Sequence, residues 1–296
     1  MSFSGNVKSE LCRLETGKSC CALAELHGAL LYANTFSADC IRVVTENREF
    51  GERLVRLLRR AFALRFDVVP EPEAAGKLVY MLTEPEKIHR AFEQCGFSAQ
   101  TSVSLHVNLA LLENDCCKRA FLRGAFLAGG SVTDPEKRYH LELSTTHIKV
   151  IRETEALLQE MNLTAKQTER KGSGVLYYKQ SDSIEDFLTC IGAPVSAMAV
   201  MQAKIEKDWR NEANRKTNCD TANVTKAVDA AQQQLAALRR LEERGVVLPE
   251  KLRETARLRR AHPEATLNEL AELHDPPTTK STVNHRMRKL LAMAEE

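Results

Sequence analysis

Apolar positions along the chain follow two periods, and where the period changes the secondary structure is expected to change with it. Residues 47–62 and 148–161 place apolar side chains at i, i+3, i+4 and i+7, which predicts helices with one buried stripe. Residues 84–95 and 183–190 also read as helices. Short β-branched or alternating runs at 41–45, 65–69, 77–82, 139–144, 164–168 and 175–179 predict strands. Gly-containing turns at Ala74-Ala-Gly-Lys77 and Lys171-Gly-Ser-Gly174 join the strands of the later hairpins.

These elements form two similar series. Each opens on a helix rich in small residues, CCALAELHGALLYANT at 20–35 and CCKRAFLRGAFLAGGS at 116–131. At an offset of 96, seven of the sixteen positions are identical, and each half reads αββαββα, with the first strand of each leading hairpin only weakly marked. Ala24 and Gly28 recur as Ala120 and Gly124, with Ala128 extending the row. A helix-interior Gly costs about 1 kcal/mol relative to Ala, so it needs a reason, and contact between two backbones is one. The duplication favours pairing of the two helices about a pseudo-twofold axis over ordinary core packing.

After about residue 198 the pattern becomes helical throughout. Asn211, Asn214, Arg215 and Asn218 form a polar stripe at i, i+3, i+4, i+7, suited either to a hydrogen-bonded seam with a neighbouring domain or to phosphate contact. Val224–Arg244 continues the helix to Gly245, a suitable C-cap. Pro249 opens the next helix, and His262-Pro263 stops it. Thr266-Leu-Asn-Glu269 is a capping box, Asp275-Pro-Pro277 a breaker, and Thr279 an N-cap for a final helix from Lys280. Helix, short helix, turn and longer helix is the helix-turn-helix order. Val283, Met287, Leu290, Leu291 and Ala294 form the last helix's buried stripe, and Ser281, Asn284, His285 and Arg288 point away from it.

Overall charge says little at first: 42 Lys plus Arg against 40 Asp plus Glu. It is unevenly spread, however. Lys280 to Leu290 carries four basic residues, one His and no acid, whereas a solvated helix normally mixes signs. This implies double-stranded DNA as partner, with Ser281, Asn284, His285 and Arg288 near base edges. Lys280, Arg286 and Lys289 would contact phosphates, joined on the phosphate-contact alternative by Arg210, Asn211, Asn214 and Arg215.

The 43% hydrophobic and 28% charged composition excludes collagenous and disordered classes. Nine Cys with no C-x-x-C fit neither a complete disulfide framework nor a zinc ribbon. The pairs Cys20/Cys21 and Cys116/Cys117 read as small buried apolar residues, since adjacent cysteines are awkward chelators. No secretory signal or membrane span is seen, so a cytoplasmic, nucleoid-associated protein with reduced thiols is expected. Gly17-Lys18-Ser19 lacks the earlier Gly of a P-loop, and no cofactor motif is present.

Phe121-Leu-Arg-Gly-Ala-Phe-Leu-Ala-Gly-Gly-Ser131 resembles the LAGLIDADG motif of homing endonucleases, and the duplicated αββαββα resembles their single-chain form. That resemblance implies an acidic metal ligand at the foot of each motif helix. The matching positions here are Ala33 and Gly129, which removes the expected catalytic metal site. Asp39 and Asp134 lie further on and read as loop residues.

Four motifs together resemble the WhiA family of DNA-binding regulators: the Met-Ser-Phe-Ser-x-x-Val-Lys-x-Glu-Leu start, Arg123–Ser131, Arg210-Asn-x-x-Asn-Arg215 with Asn218-Cys-Asp-x-Ala-Asn223, and Lys280-Ser-x-Val-Asn-His-Arg286. Thr282 and Trp209 depart mildly from the family's usual Gly and Met. The resemblance implies an α+β chain, with LAGLIDADG-like repeats at 1–100 and 101–200, a helical linker at 201–222 and an all-α domain at 223–296 whose motif spans about 265–296. It further implies a regulator without nuclease activity, acting in transcription, cell division, chromosome segregation and sporulation. The duplicated body supplies its own pseudo-symmetry, so no homo-oligomer is required to form it. The alternatives are an active endonuclease with ligands relocated to Asp39 and Asp134, or a protein-interaction platform for RNA polymerase or a partner regulator.

Overall fold

A computed structural model describes residues 2–97 and 104–295, which fall into two compact units, 1–208 and 209–296. The boundary expected between the two repeats, at residue 100, lies outside the described residues.

The first unit begins with α1 (Phe3–Arg13), followed by α2 (Ser19–Leu31), β1 (Thr35–Phe36), β2 (Ile41–Thr45), α3 (Arg48–Phe62), β3 (Leu78–Leu82) and α4 (Pro85–Gln94). The second series has α5 (Asp115–Gly129), β4 (Gly130–Val132), β5 (Leu141–Thr145), α6 (Ile148–Glu160), β6 (Lys166–Arg170), β7 (Ser173–Tyr178) and α7 (Ser181–Ile191). Its sheet is antiparallel in the order β4-β5-β7-β6, so the full αββαββα expected from sequence is present. Lys171 and Gly172 both have positive φ, as the tight turn between β6 and β7 requires.

The first series is less complete. Its sheet has the order β1-β2-β3, and the strand expected at 65–69 contributes a single bridge, Val68 to Met81. Pro70 follows immediately and has no N–H to extend a ladder. The Asp67 carboxylate instead accepts from the backbone of Thr83 at 2.6 Å and Glu84 at 2.9 Å, tying the segment to the end of β3.

The two small-residue helices pack against each other as the duplication predicts. A Cβ placed on Gly28 would lie 2.1 Å from the Phe121 carbonyl oxygen, and one on Gly124 would lie 1.9 Å from that of Glu25. Both glycines and both contacted residues are related by the same offset of 96, so the close approach is itself pseudo-symmetric. Every residue from Ala24 to Leu31 is buried, which explains why α2 has no polar face. Glu25, buried among these apolar groups, is neutralised. Arg53 donates to it through Nε at 2.5 Å and a terminal nitrogen at 2.9 Å, and Arg123 adds a third donor at 3.2 Å.

Helix α8 (Pro194–Glu243) begins in the first unit and ends in the second, where α9 (Glu250–Ala261), α10 (Leu267–Glu272) and α11 (Lys280–Glu295) follow. Ala237, Leu238 and Leu241 join apolar residues of the three later helices in one core. Gly245 has φ of 65°, the left-handed conformation expected of a helix stop. Among the described residues no helix is long and apolar enough to cross a membrane.

Candidate nucleic-acid interface

The geometry of α11 is set by its flanks. Thr266 and Glu269 close the expected capping box on α10, and Thr279 accepts from the Thr282 N–H at 3.2 Å to start α11. A buried polar cluster fixes the turn between them. His274 hydrogen-bonds to the Leu270 carbonyl at 2.7 Å and to Thr255 Oγ1 at 2.9 Å, which holds α10 and the following turn against α9. Arg259, also buried, donates to the carbonyls of Pro263 and Ala265, bracing the approach to α10. Sequence patterning did not identify these groups, because each is recognisable only by a partner on another element.

Val283, Met287, Leu290 and Ala294 are buried as expected, while Leu291 is only half-buried at the edge of the stripe. On the opposite face Ser281, His285 and Arg288 are exposed and Asn284 is half-buried, so the four side chains at i, i+3, i+4, i+7 share one accessible surface. Lys280 and Lys289 are exposed at its margins. Arg286 differs from the other basic residues: it is half-buried and donates to Thr255 at 3.3 Å. At 100° per residue, position 286 lies nearer the core stripe than the exposed polar face, which accounts for the inward turn.

Among the described residues Lys280, Arg286, Arg288 and Lys289 form no ion pair, a property they share with Arg239, Arg240, Arg244, Lys251 and Arg257, whereas Arg253 pairs with Glu250 and Arg260 with Glu242. What sets α11 apart is the absence of any acid from Lys280 to Leu290. Arg210, Asn211, Asn214 and Arg215 are all exposed on α8.

In the first unit the two positions at the helix feet carry no carboxylate. Ala33 is buried, and a Cβ on Gly129 would meet the Ser144 carbonyl oxygen at 2.5 Å and the Tyr32 ring at 2.9 Å. Asp39 is exposed, and Asp134 accepts from the Glu136 N–H in its own loop. Among the described residues, neither belongs to a group of three or more metal-ligating side chains.

Family models describe the two parts of the chain separately. Residues 118–210 match the WhiA LAGLIDADG-like domain, and residues 213–294 match the WhiA C-terminal HTH domain. The "Probable cell division protein WhiA" of Ruminiclostridium cellulolyticum is 40% identical, covering 100% of this chain and 97% of its own. The protein of the same name from Alkaliphilus metalliredigens is 37% identical, covering 100% and 98%. The chain belongs to the WhiA family. Its fold follows that of full-length DUF199/WhiA from Thermatoga maritima, at a TM-score of 0.59 and 22% identity, over 100% of this chain and 98% of that one. The architecture is therefore a LAGLIDADG-like α+β body followed by a helical helix-turn-helix domain, the class expected from sequence.

Proposed function

We propose that the protein is a sequence-specific double-stranded DNA-binding regulator in which α11 enters the major groove and the LAGLIDADG-like body performs no strand cleavage. The observation that carries this reading is the accessible face of α11, polar and basic, free of acidic partners, and opposite a fully apolar stripe. Ser281, Asn284, His285 and Arg288 supply donors and acceptors for base edges, while Lys280 and Lys289 hold the phosphates on either side. Arg286 serves mainly to steady α11 against α9 and reaches a phosphate only by leaving Thr255. The names of its relatives support a role in cell division, which we place at the level of transcription or chromosome segregation.

Ligand chemistry supports the absence of cleavage. Magnesium or manganese requires oxygen ligands, and a carboxylate cannot be introduced at Gly129 without displacing the Ser144 backbone. Footprinting of the full chain on genomic DNA, followed by incubation of the bound fragment with Mg²⁺ or Mn²⁺, tests both parts. The expected result is a protected site with intact strands. Metal-dependent cleavage abolished by Asp39→Asn or Asp134→Asn would show instead that the ligands have moved.

A further inference from the structure

The two cysteine pairs do not behave as the small buried residues expected from sequence. Cys20 and Cys116 are exposed, Cys21 is half-buried and only Cys117 is buried. Their four Sγ atoms all lie within 4.8 Å of one another, the one such cluster of potential metal ligands among the described residues. The offset of 96 explains the convergence. Each pair occupies the second and third positions of its helix, and the glycine contact between α2 and α5 brings the two first turns together.

Contacts within the cluster cross between helices. Cys21 engages Cys116, and Cys117 engages Cys20, two interactions related by the same pseudo-symmetry. Neighbouring residues on a helix point about 100° apart, so one pair cannot enclose an ion. Two pairs facing each other across a twofold axis supply four corners. A tetrahedral zinc ion with Zn–S of about 2.3 Å sets its sulfurs about 3.8 Å apart, so small side-chain rotations would complete the shell.

We propose that Cys20, Cys21, Cys116 and Cys117 form a tetrathiolate site for one zinc ion, which clamps the first turns of α2 and α5 together. A four-iron cluster fits less well, because each sulfur would bind a different iron and the four would spread apart. Two disulfides would need only separate pairs, whereas here all four atoms converge. The charge also fits. Neither Lys18 nor Asn114 caps its helix through a side chain, and although the Cys117 N–H donates to the Asn114 carbonyl at 2.8 Å, the positive ends of both helix dipoles favour negative charge on the sulfurs. Lys18 adds a positive charge near Cys116.

Zinc binds thiolate rather than thiol, so binding would displace protons and its apparent affinity would fall as pH falls.

Cobalt titration of the reduced full-length protein tests the site. The expected result is saturation at one equivalent, with intense thiolate-to-cobalt charge-transfer absorption and the visible bands of tetrahedral cobalt, both lost on adding zinc. Zinc should also protect these four cysteines from alkylation, as mapped by peptide mass, while Cys40 and Cys219 react as before. Cys21→Ser and Cys116→Ser should abolish the spectrum, and Cys219→Ser should leave it unchanged. Because the wild-type spectrum and alkylation map need no variant, a misfolded mutant does not shelter the proposal. Absence of the charge-transfer bands in reduced wild-type protein would overturn it. So would equal alkylation of the four cysteines with and without zinc.

Discussion

The paired helices α2 and α5 and the terminal helix α11 are both apolar on the side that packs, but they differ in what the other side faces. Around α2 every side from Ala24 to Leu31 is buried, so packing dictates the residue at nearly every position. In α11 only Val283, Met287, Leu290 and Ala294 are buried, and the opposite face is free to carry polar chemistry. The same difference explains what happened at the two sites. At the foot of α5, Gly129 fits tightly against Ser144 and Tyr32 and leaves no space for a metal-binding carboxylate. On α11, the exposed face carries Lys280, Arg288 and Lys289 without an acidic residue from Lys280 to Leu290.

The largest effects should come from disturbing the fully packed pair. Glu25→Ala leaves the Arg53 charge buried without its partner and should destabilise the first unit by about 3–5 kcal/mol, read by chemical denaturation. An unchanged midpoint would mean that Arg53 finds another acceptor. Gly124→Ala places a methyl group against backbone rather than a movable side chain, and should cost about 3 kcal/mol in the same measurement. Near-neutral behaviour would show that the two helices can separate freely.

The packed pair should also be sensitive to acid. His27 is wholly buried in α2, accepts from the Asn108 N–H at 3.1 Å, and burial lowers its pKa from 6.5 to about 3. The folded state therefore holds it neutral while the unfolded chain takes up a proton below pH 6.5. The stability it contributes is complete above that value and is lost progressively as pH falls toward 3. Between pH 7 and pH 5 the loss should be about 2 kcal/mol, and His27→Gln should remove that portion of the pH dependence. Parallel pH profiles for the two proteins would exclude His27 as the cause.

The smallest effect belongs to the free face. Lys289→Ala should leave folding intact and reduce the salt dependence of DNA binding by about one unit of slope, with little change in sequence preference. A salt titration with specific and non-specific duplexes checks both. A selective loss on the specific duplex alone would move Lys289 from phosphate contact to base reading.

Much of this contrast was legible in the amino-acid order because it depends on local periodicity and on repetition. Gly28 and Gly124 stand out as glycines inside helices, and the Thr266–Glu269 capping box and Gly245 stop are short-range signals that the structure reproduces. What the sequence left obscure depends on partners distant along the chain. The run at 65–69 has strand-like residues, but Pro70 and the capture of Asp67 by the start of the next helix limit its pairing. Arg286 looks like its basic neighbours until Thr255, on another helix, is seen to hold it. Adjacent cysteines look like poor ligands until the helix pairing places one pair opposite the other.

The central claim is that α11 reads DNA sequence through its exposed face. Arg288 tests it most directly, because it is exposed, unpaired among the described residues, and outside the domain core. Equilibrium binding of wild-type and Arg288→Ala protein to a footprinted genomic site should show specific affinity weakened by about 1–3 kcal/mol, with unchanged thermal stability and nearly unchanged affinity for non-specific duplex. Full retention of specific affinity in Arg288→Ala would contradict the assignment of α11 as the reading helix through that residue.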